Sequence, residues 1–400
     1  MKCRVCDNEK LIPVIDLGIQ PWGNNFLKED EVGKELKYPL KVIYCTNCAT
    51  AQLDYTVKKE VMFANHTYLS GITKTLSKHF RKLAEEVDNM FFSEKTDKSV
   101  LDLGSNDGTQ LKHYKDLGYS VLGVESSKNI AKIANDDGIP TEADFFNLDV
   151  AKKINKKFEV INASGFFFHL EELHSVTDGI KFLLADDGVF VVQFLYMKSI
   201  IENNAFDQIY HEHLLYYTLK TIETLLNRHG LTMFDAYFSG IHGGSIMGFV
   251  THTGKKEKTD RLKKLIQEEN DAKTNDLETY KKFAKNIEIM KEKNLEYLKK
   301  NKAAGKTIYG FGAPVKGNTL LNYFNVDTKY LDFLVEKNKL RKGLFSPGMH
   351  IPVILEEDVE KQPDIYYVLA WNFKKEILEN NEELIKQGVE FYFPVNPKVN

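Results

Sequence analysis

The sequence predicts an α/β protein in three parts: an N-terminal zinc-binding module, a central Rossmann-like domain and a second Rossmann-like α/β domain at the C-terminal end. Three observations predict this arrangement. All four cysteines lie between Cys3 and Cys48, strands alternate with helices from Ser99 onward, and a second strand, glycine turn and helix begin at Lys306. Such alternation is typical of parallel sheets covered by helices.

We divide the chain into a zinc-binding module at 1–58, a central domain with a helical lead-in at 59–255, a helical linker at 256–302 and a C-terminal domain at 303–400. The linker is highly charged, contains no proline or glycine, and spaces its apolar residues as amphipathic helices do. Acidic residues are interspersed among its lysines, so we interpret it as a solvated helical face and not as a nucleic-acid surface.

Composition excludes several classes of protein. The 400 residues exceed what one hydrophobic core usually serves. With 42% hydrophobic and 28% charged residues, and no apolar run near the roughly 20 residues of a membrane helix, we expect no membrane span. The N-terminus lacks the apolar segment of a secretory signal, so we expect a cytoplasmic protein. A net charge of −3 argues against nucleic acid as the main partner.

The four cysteines form two Cys-x-x-Cys pairs, Cys3 with Cys6 and Cys45 with Cys48. Each pair can present two thiolates from a tight turn, and four thiolates complete the closed tetrahedral sphere of a structural zinc ion. Two disulfides or four buried thiols are the alternatives, but disulfides are disfavoured in the cytosol. The spacing therefore predicts structural zinc.

The central domain opens with a strand at Ser99–Leu103, a glycine-rich turn and a helix, followed by a strand at 120–125. The alternation continues to a strand at 188–194, as in a doubly wound parallel sheet. Glycines in the turn let the backbone approach a ligand closely, and Glu125 ends the next strand, where a carboxylate can accept hydrogen bonds from both ribose hydroxyls.

The turn differs from G-x-G-x-x-G and lacks the lysine of a P-loop, so S-adenosylmethionine (SAM) fits better than a pyrophosphate cofactor. A purely structural strand-to-helix turn is the alternative. The residues predicted here to bind the cofactor are Asp102, Gly104, Ser105, Asn106, Asp107, Gly108 and Glu125.

The segment Tyr210-His211-Glu212-His213 gathers acid/base groups in consecutive positions. If the segment is extended, the two histidines share one side and Glu212 faces the other. Histidine titrates near neutral pH and can remove a proton from a carbon beside a carbonyl group. We predict a proton-transfer centre in which Glu212 orients the histidine; a metal-binding His-x-His pair and polar residues at a domain junction are the alternatives.

A second segment, His242-Gly243-Gly244-Ser245, offers backbone donors and a histidine beside a predicted strand, and it could line the same cleft. A simple β-turn explains the glycines equally well. Tyr68 and His169 are weaker candidates, because such side chains are more often packed or capping.

These motifs together resemble the sugar C-methyltransferases of deoxysugar biosynthesis, which add a branch methyl group to nucleotide-linked 4-keto sugars. The resemblance spans nearly the whole chain. Besides the cysteines and the cofactor turn, it is carried by segments 206–213, 242–245, 312–319, 347–352 and 370–373. After Ile161 the chain reads Asn162-Ala163-Ser164 where the family more often has a pair of asparagines, so the acceptor stays open.

The resemblance implies that His213 takes the proton from the carbon next to the ketone, that Tyr210 and Glu212 support the base and the enolate, and that the enolate attacks the methyl group of SAM. It also implies that the third domain helps to hold the nucleotide diphosphate. We add Ser164 and His169 to the cofactor contacts. The residues assigned to the keto-sugar substrate are Tyr68, His211, His242, Gly243, Lys316, Asn318 and His350.

Two other functions stay open. Sugar O-methylation would use a base for a hydroxyl group and would need no ketone. A non-catalytic zinc-ribbon protein that binds nucleic acid or protein is the other, although the charge balance and segment 210–213 argue against it. The sequence does not predict the nucleotide, the methylated carbon and its face, or the oligomeric state.

Overall fold

The part of the chain described by the computed structural model, residues 1–63, 69–72 and 74–395, forms three β-sheets. One sheet belongs to the N-terminal module, one to the central domain and one to the C-terminal domain, as the sequence predicts. Tyr68, a predicted substrate contact, lies outside the described residues.

The first sheet frames the cysteines. Its antiparallel strands are β1 (Leu11–Pro21), β2 (Lys37–Cys45) and β3 (Ala51–Leu53). Cys3 and Cys6 precede β1, whereas Cys45 and Cys48 lie at the turn from β2 to β3. Because β1 and β2 pair side by side, the start of one strand meets the end of the other, and both cysteine turns reach the same end of the sheet.

The lead-in to the central domain is interrupted. It contains helix α1 (Lys59–Phe63), a 3₁₀ turn at Ser70–Ile72, helix α2 (Lys74–Val87) and a π-helical turn at Asp88–Phe92. The 3₁₀ turn contacts the predicted cofactor turn: Ser70 N–H donates to Asn106 Oδ1 and Gly71 N–H to Asp107 Oδ2, both at 2.8 Å. A Cβ on Gly71 would lie 2.8 Å from that same carboxylate oxygen, so only glycine allows this approach.

The central domain contains eight strands and six helices among the described residues. The strands are β4 (Ser99–Leu103), β5 (Ser120–Val124), β6 (Thr141–Glu142), β7 (Phe158–Ser164), β8 (Leu184–Leu195), β9 (Leu215–Tyr216), β10 (Leu231–Ser239) and β11 (Ser245–His252). The helices are α3 (Thr109–Asp116), α4 (Lys128–Asp136), α5 (Leu148–Ile154), α6 (Leu173–Leu183), α7 (Met197–Glu202) and α8 (Leu219–Arg228).

Seven of these strands form one sheet in the order β10-β11-β8-β7-β4-β5-β6. Strands β8, β7, β4, β5 and β6 are parallel, as predicted. The sheet is extended at one edge by β11, which runs antiparallel to both β8 and β10, an arrangement the sequence did not predict. The cause is the short connection from β10 to β11, since strands joined by a tight turn must run in opposite directions. Strand β9 pairs with β3 and joins the module to the central domain.

Two helices, α9 (Asp260–Asp271) and α10 (Leu277–Ala303), form the linker, which confirms the predicted amphipathic helices. The buried Glu269 carboxylate fixes α9 to the central domain by accepting the Tyr196 hydroxyl at 2.9 Å and the Leu219 N–H at 2.7 Å. At the other end, Asn294 of α10 accepts the Tyr367 hydroxyl of the C-terminal domain at 2.8 Å. Within the described ranges, no helix has the length and apolar character needed to cross a bilayer.

The C-terminal sheet is parallel throughout, in the order β14-β13-β12-β15-β16. Its strands are β12 (Ile308–Phe311), β13 (Leu334–Glu336), β14 (Val353–Leu355), β15 (Ile365–Val368) and β16 (Glu390–Tyr392). Its helices are α11 (Val315–Phe324), α12 (Lys374–Asn380) and α13 (Glu382–Lys386). The strand order reverses between β12 and β15, and ligands of doubly wound sheets bind in the crevice at such a point.

One cluster of buried apolar side chains runs through all three parts of the protein. It includes Leu40 of the module, Phe206 of the central domain and Phe324 of the C-terminal domain. The Phe206 and Phe324 rings lie 5.3 Å apart, so the two Rossmann-like domains share a packed core.

Candidate active site

The four cysteine sulfurs converge, and all four lie within 4.8 Å of one another. The Cys3 and Cys48 sulfurs are 3.6 Å apart, and the Cys6 and Cys45 sulfurs are 3.5 Å apart. A tetrahedral zinc ion with Zn–S bonds of about 2.3 Å separates its thiolates by roughly 3.8 Å, so this donor set fits zinc. Four thiolates leave no position for a reacting ligand, which makes the ion structural.

The zinc module is anchored to the central domain beside this site. Arg228, the last residue of α8, donates hydrogen bonds to the Val5 carbonyl and to the Asp7 carboxylate. Val5 lies within the first cysteine turn, and Asp7 directly follows it. Zinc would thus stabilise a module that also contacts segment 210–213 through Trp22 and Glu212.

The cofactor turn follows β4 and requires its glycines. Gly104 and Gly108 have φ values of 68° and 74°, which L-residues adopt only with strain. A Cβ on Gly104 would also lie 2.8 Å from the Phe166 ring. The turn is closed by a hydrogen bond from Gly104 N–H to the Val124 carbonyl at 2.8 Å, which brings it against the end of β5.

Glu125 lies directly below this turn. Its carboxylate accepts the N–H groups of Asn106 at 3.0 Å and Ser127 at 2.8 Å. Burial raises the pKa of Glu125, and those backbone donors counter the effect. Asp102 of β4 is buried nearby, where burial and the negative charge of Glu125 raise its pKa well above the ordinary value.

Three buried polar atoms around this edge of the sheet, Ser105 Oγ, Asn162 Nδ2 and Ser164 Oγ, have no hydrogen-bond partner among the described residues. Native proteins rarely leave such groups unpaired, and a bound ligand is an ordinary explanation. The side chains of Asn106 and Asp107 have a different task, since they hold the 3₁₀ turn at Ser70–Ile72. The residues present therefore fit an adenosyl cofactor.

The segment 210–213 is a turn and not a strand, because His213 N–H donates to the Tyr210 carbonyl at 2.9 Å. The expectation that both histidines share one side is wrong for this reason. His211 faces the module, where its Nε2 lies 3.4 Å from the Tyr38 carbonyl and burial lowers its pKa to about 4.

His213, the other histidine of the segment, is buried and turns toward Gln208 and His169. Its Nδ1 lies 2.8 Å from the Gln208 carbonyl, which can only accept, so Nδ1 carries the proton and Nε2 is the basic nitrogen. Burial, and next the proximity of His169, lower the pKa of His213 well below the ordinary value. The ring centroid is 3.8 Å from that of Tyr210 and 5.2 Å from that of His169. A neutral imidazole of this tautomer can accept a proton.

Glu212 points to the module. Its Oε1 accepts the indole N–H of Trp22 at 2.7 Å. Burial raises the pKa of Glu212 to about 7, although the Trp22 bond and the charge of Arg341 act in the opposite direction. The Glu212 carbonyl accepts a hydrogen bond from Nδ1 of His169 at 2.6 Å. His169 therefore packs beside Glu212 and His213, and its predicted role as a cofactor contact stays a prediction.

The segment 242–245 lies against Gln208, close in sequence to segment 210–213, and its place in a substrate cleft stays a prediction. Positive φ values of 56°, 88° and 124° at His242, Gly243 and Gly244 bend it into a tight turn. Gln208 holds it by donating to the His242 carbonyl at 2.9 Å. Desolvation by the surrounding protein lowers the pKa of His242 to about 4, and the charges of His79 and Lys316 act in the same direction.

The C-terminal domain contacts the same region of the central domain through Trp371. Lys316, in the first turn of α11, donates to Asn372 Oδ1 at 2.6 Å and lies 4.0 Å above the Trp371 ring. The Trp371 indole N–H donates to Asp207 at 2.6 Å, next to the reaction segment. Burial lowers the pKa of Lys316 to about 8, while Asp207 acts to raise it. A cation is therefore held at the cleft by the two Rossmann-like domains together.

Asn318 and His350 contact the module in this structure. Asn318 donates to the Gly23 carbonyl at 2.7 Å, and His350 Nε2 lies 2.7 Å from the buried Glu35 carboxylate. Their predicted role as substrate contacts stays a prediction, and the structure adds an interdomain role.

Sequence reasoning missed two residues of the cleft. Trp22 has no local signal, because its partner Glu212 is 190 positions away. Arg341 lies 4.5 Å above the Phe26 ring and donates to the Ala313 carbonyl. The sequence did carry a signal for Arg341, because this residue closely follows β13, a strand that ends in the acid Glu336.

A Rossmann-like sheet with this glycine turn and this acid at its carboxyl edge is the architecture of a SAM-dependent methyltransferase. Three family models match the chain: a zinc binding domain over residues 3–63, a methyltransferase domain over 76–236 and a C-methyltransferase C-terminal domain over 240–396. NovU, a C-methyltransferase of Streptomyces niveus, is 31% identical over 405 residues, which cover 100% of this chain and 96% of NovU. The chain belongs to the zinc-containing C-methyltransferase family, and its cofactors are SAM and structural zinc.

Solved methyltransferases show a partial likeness. The mitomycin 7-O-methyltransferase MmcR has a TM-score of 0.36 and 12% identity, over 46% of this chain and 55% of MmcR. The magnesium protoporphyrin IX methyltransferase of Synechocystis PCC 6803, solved with bound SAH, has a TM-score of 0.35 and 13% identity, over 44% of this chain and 83% of that one.

Proposed function

We propose that this enzyme removes a proton from the carbon next to the ketone of a nucleotide-linked 4-keto (deoxy)sugar and methylates the resulting enolate. The observation that carries the proposal is the geometry of His213: a buried imidazole whose Nδ1–H is bound to the Gln208 carbonyl, which leaves Nε2 as the nitrogen that can take a proton. Such a group suits the removal of a proton from carbon.

The reaction needs two events on the substrate. Nε2 of His213 takes the proton, and the C–H electron pair moves into the enolate. The enolate carbon is then the nucleophile that would receive the methyl group of bound SAM, with SAH as the leaving group. SAM supplies the electrophilic methyl group, and the Glu125 side of the cleft would hold it.

Tyr210 and Glu212 are suited to stabilise the enolate stage. The Tyr210 ring is 3.8 Å from that of His213, so it moves together with the base. Glu212, with a pKa of about 7, can be present near neutral pH either as a carboxylate that stabilises the imidazolium or as an acid that donates to the enolate oxygen. Alignment of the carbanion with the methyl group can supply several kcal/mol.

The name of NovU supports carbon as the methylated atom. The C-terminal domain supports a nucleotide-linked substrate, because it places Lys316 at the cleft, beside the N-terminus of α11 and 4.0 Å above Trp371. A buried cation at a helix N-terminus favours phosphate.

Two assays with His213→Ala test the proposal. Labelled SAM and a panel of nucleotide-linked 4-keto sugars should give a labelled product with wild type and none with the variant. In D₂O without SAM, wild type should exchange the acidic C–H of the substrate and the variant should not. His252→Gln, at the far end of β11, is the matched control and should retain both activities.

The outcomes separate the alternatives. Methylation that proceeds in the variant at the wild-type rate would remove His213 from the mechanism. Methyl transfer to a substrate deuterated at the acceptor carbon, with all deuterium retained, would indicate O-methylation.

A further inference from the structure

A row of polar side chains lies on one face of the central sheet, at the carboxyl ends of its strands. Asn162 and Ser164 are two positions apart on β7, and Ser164 pairs in register with Gln193 of the parallel strand β8. Side chains related in these two ways project from the same face of a sheet. Because Asn162 Nδ2 and Ser164 Oγ have no hydrogen-bond partner among the described residues, this face has hydrogen bonds left for a ligand.

Helix α2 packs on this face and contributes a histidine to it. Ser77 of α2 turns toward α3, where its Oγ lies 3.2 Å from His113 Nε2. Two positions further, His79 turns toward β8, where its Nε2 lies 3.1 Å from Oε1 of the buried Gln193 side chain. His79 therefore belongs to the half of the sheet that contains β8, and not to the half that carries the cofactor turn.

The contact with Gln193 fixes the ring of His79. An amide oxygen can only accept, so Nε2 of His79 carries the proton and Nδ1 has an electron pair available. Burial lowers the pKa of His79, which favours the neutral ring. Within the described part of the chain, Nδ1 has no hydrogen-bond donor. The half-buried ring borders a groove of about 430 Å³, so a ligand can reach it.

The position of His79 is far from the adenosyl end of the cofactor site and close to the proposed base. Three strand spacings separate β8 from β5, the strand that precedes Glu125, which is about 14 Å at about 4.8 Å each. After burial, the largest influence that lowers the pKa of His242 is the charge of His79. The charge of His242 in turn adds to burial and to His169 in lowering the pKa of His213.

An unpaired nitrogen acceptor selects its partner by chemistry. Ketone and phosphate oxygens are acceptors themselves, whereas the hydroxyl groups of a sugar can donate. We propose that His79 Nδ1 accepts a hydrogen bond from a hydroxyl group of the sugar, and that Gln193 is the positioning residue that orients the ring. This inference rests on the proposed function, because it names a specificity contact for the same keto sugar.

Steady-state methylation of the keto sugar that wild type accepts tests the contact. His79→Ala should raise KM for the sugar about tenfold, because one hydrogen bond is lost, and should leave kcat within about twofold, because His213 still removes the proton. Calorimetry on the full-length, zinc-loaded enzyme should show unchanged SAH affinity. Lys78→Ala, at an exposed neighbour on α2, is the matched control and should retain wild-type kinetics.

The ammonium group of SAM is a competing donor for Nδ1. SAH retains that group, so weaker SAH binding by His79→Ala, together with an unchanged KM for the sugar, would assign His79 to the cofactor and overturn the inference. Unchanged KM and unchanged SAH affinity would overturn it as well.

A conservative variant and a double-mutant cycle separate contact from positioning. In His79→Asn the amide oxygen can take the place of Nδ1, so KM should return toward the wild-type value. Gln193→Leu should raise KM about threefold in the wild-type background and add little to His79→Ala, because Gln193 acts through His79. Fully additive effects of the two substitutions would remove the positioning role of Gln193.

Deoxy analogues of the accepted sugar identify the partner directly. At least one analogue, with one hydroxyl group replaced by hydrogen, should lose about tenfold in kcat/KM with wild type and show no such loss with His79→Ala. Equal losses in the two proteins for every analogue would overturn the inference.

The two proposals fail in different ways. If a keto sugar is methylated and loses its acidic deuterium while His79 affects neither KM nor the response to the analogues, only the His79 contact is wrong. If no sugar of the panel is methylated or exchanges its C–H, the proposed function fails, and the inference that rests on it fails too.

Discussion

Replacement of Glu212 by glutamine should make the enzyme more stable at alkaline pH and less active. The carboxyl group is buried and has a pKa of about 7 in the folded protein, against an ordinary value of 4.5. The folded state therefore retains a proton that the unfolded state loses, so stability falls as pH rises from 4.5 to 7. The full difference of 2.5 pH units corresponds to about 3 kcal/mol, since each unit is about 1.4 kcal/mol.

Glutamine has no such titration, and its amide oxygen can still accept the Trp22 N–H. The stability of Glu212→Gln relative to wild type should therefore improve by about 2 kcal/mol between pH 5.5 and pH 8. For a domain of this size, that is a relative gain in Tm of about 4 to 8 °C. Differential scanning fluorimetry over the pH range measures it, and methyl transfer at each pH should show the loss of activity.

The control is Glu278→Gln on α10, whose side chain is 79% exposed and whose stability difference should not vary in this way. A Glu212→Gln effect that is constant with pH, or that becomes more destabilising toward pH 8, would refute the reasoning. Stability gained at the expense of activity is the expected behaviour of a buried functional acid.

Three further changes test other parts of the site. Trp22→Phe removes the N–H donor that lowers the pKa of Glu212, so the pH midpoint of kcat should move upward while the zinc content is unchanged. An unchanged midpoint would show that Trp22 does not affect this titration. Cys45→Ser should lose bound zinc, measured by atomic emission, and should lower Tm, because a tetrahedral site with one thiolate missing binds the metal weakly; full zinc occupancy would contradict the assigned ligand set. Gly243→Ala would place a Cβ 2.7 Å from the Trp371 ring at a φ of 88°, so kcat/KM should fall about tenfold or more, which is about 1 to 3 kcal/mol of strain. Gly240→Ala, with nothing within 4 Å of its Cβ, is the matched control and should behave as wild type.

Local sequence predicted most of the elements because each carries its own signal. The buried strand at Ser99–Leu103 and the glycine turn after it were both visible as short patterns. The long helix Leu277–Ala303 was equally clear from its charged, glycine-free composition. The antiparallel edge formed by β10 and β11 was not predicted, because apolar runs reveal strands but not their direction.

Local sequence patterns did not predict the conformation of segment 210–213 or the partners of its side chains. The neighbouring residues predicted a proton-transfer histidine in segment 210–213 and the family resemblance singled out His213, but the tautomer of His213 depends on the carbonyl of Gln208. Alternation along an extended strand placed His211 beside it, whereas a single backbone hydrogen bond turned the segment and sent His211 to the module. Four residues are too few for a periodic pattern to distinguish a strand from a turn.

The sequence by itself determined the three-part plan, the zinc ligands, the cofactor turn and the residue types of the reaction centre, because those features depend on spacing along the chain. Only the tertiary structure decided that Trp22 holds Glu212 across 190 positions and that Trp371 holds Asp207 across 164. The physical reason is that burial and hydrogen-bond partners set the pKa of a carboxyl or a lysine, and those partners come from elements that meet only when the three parts pack together.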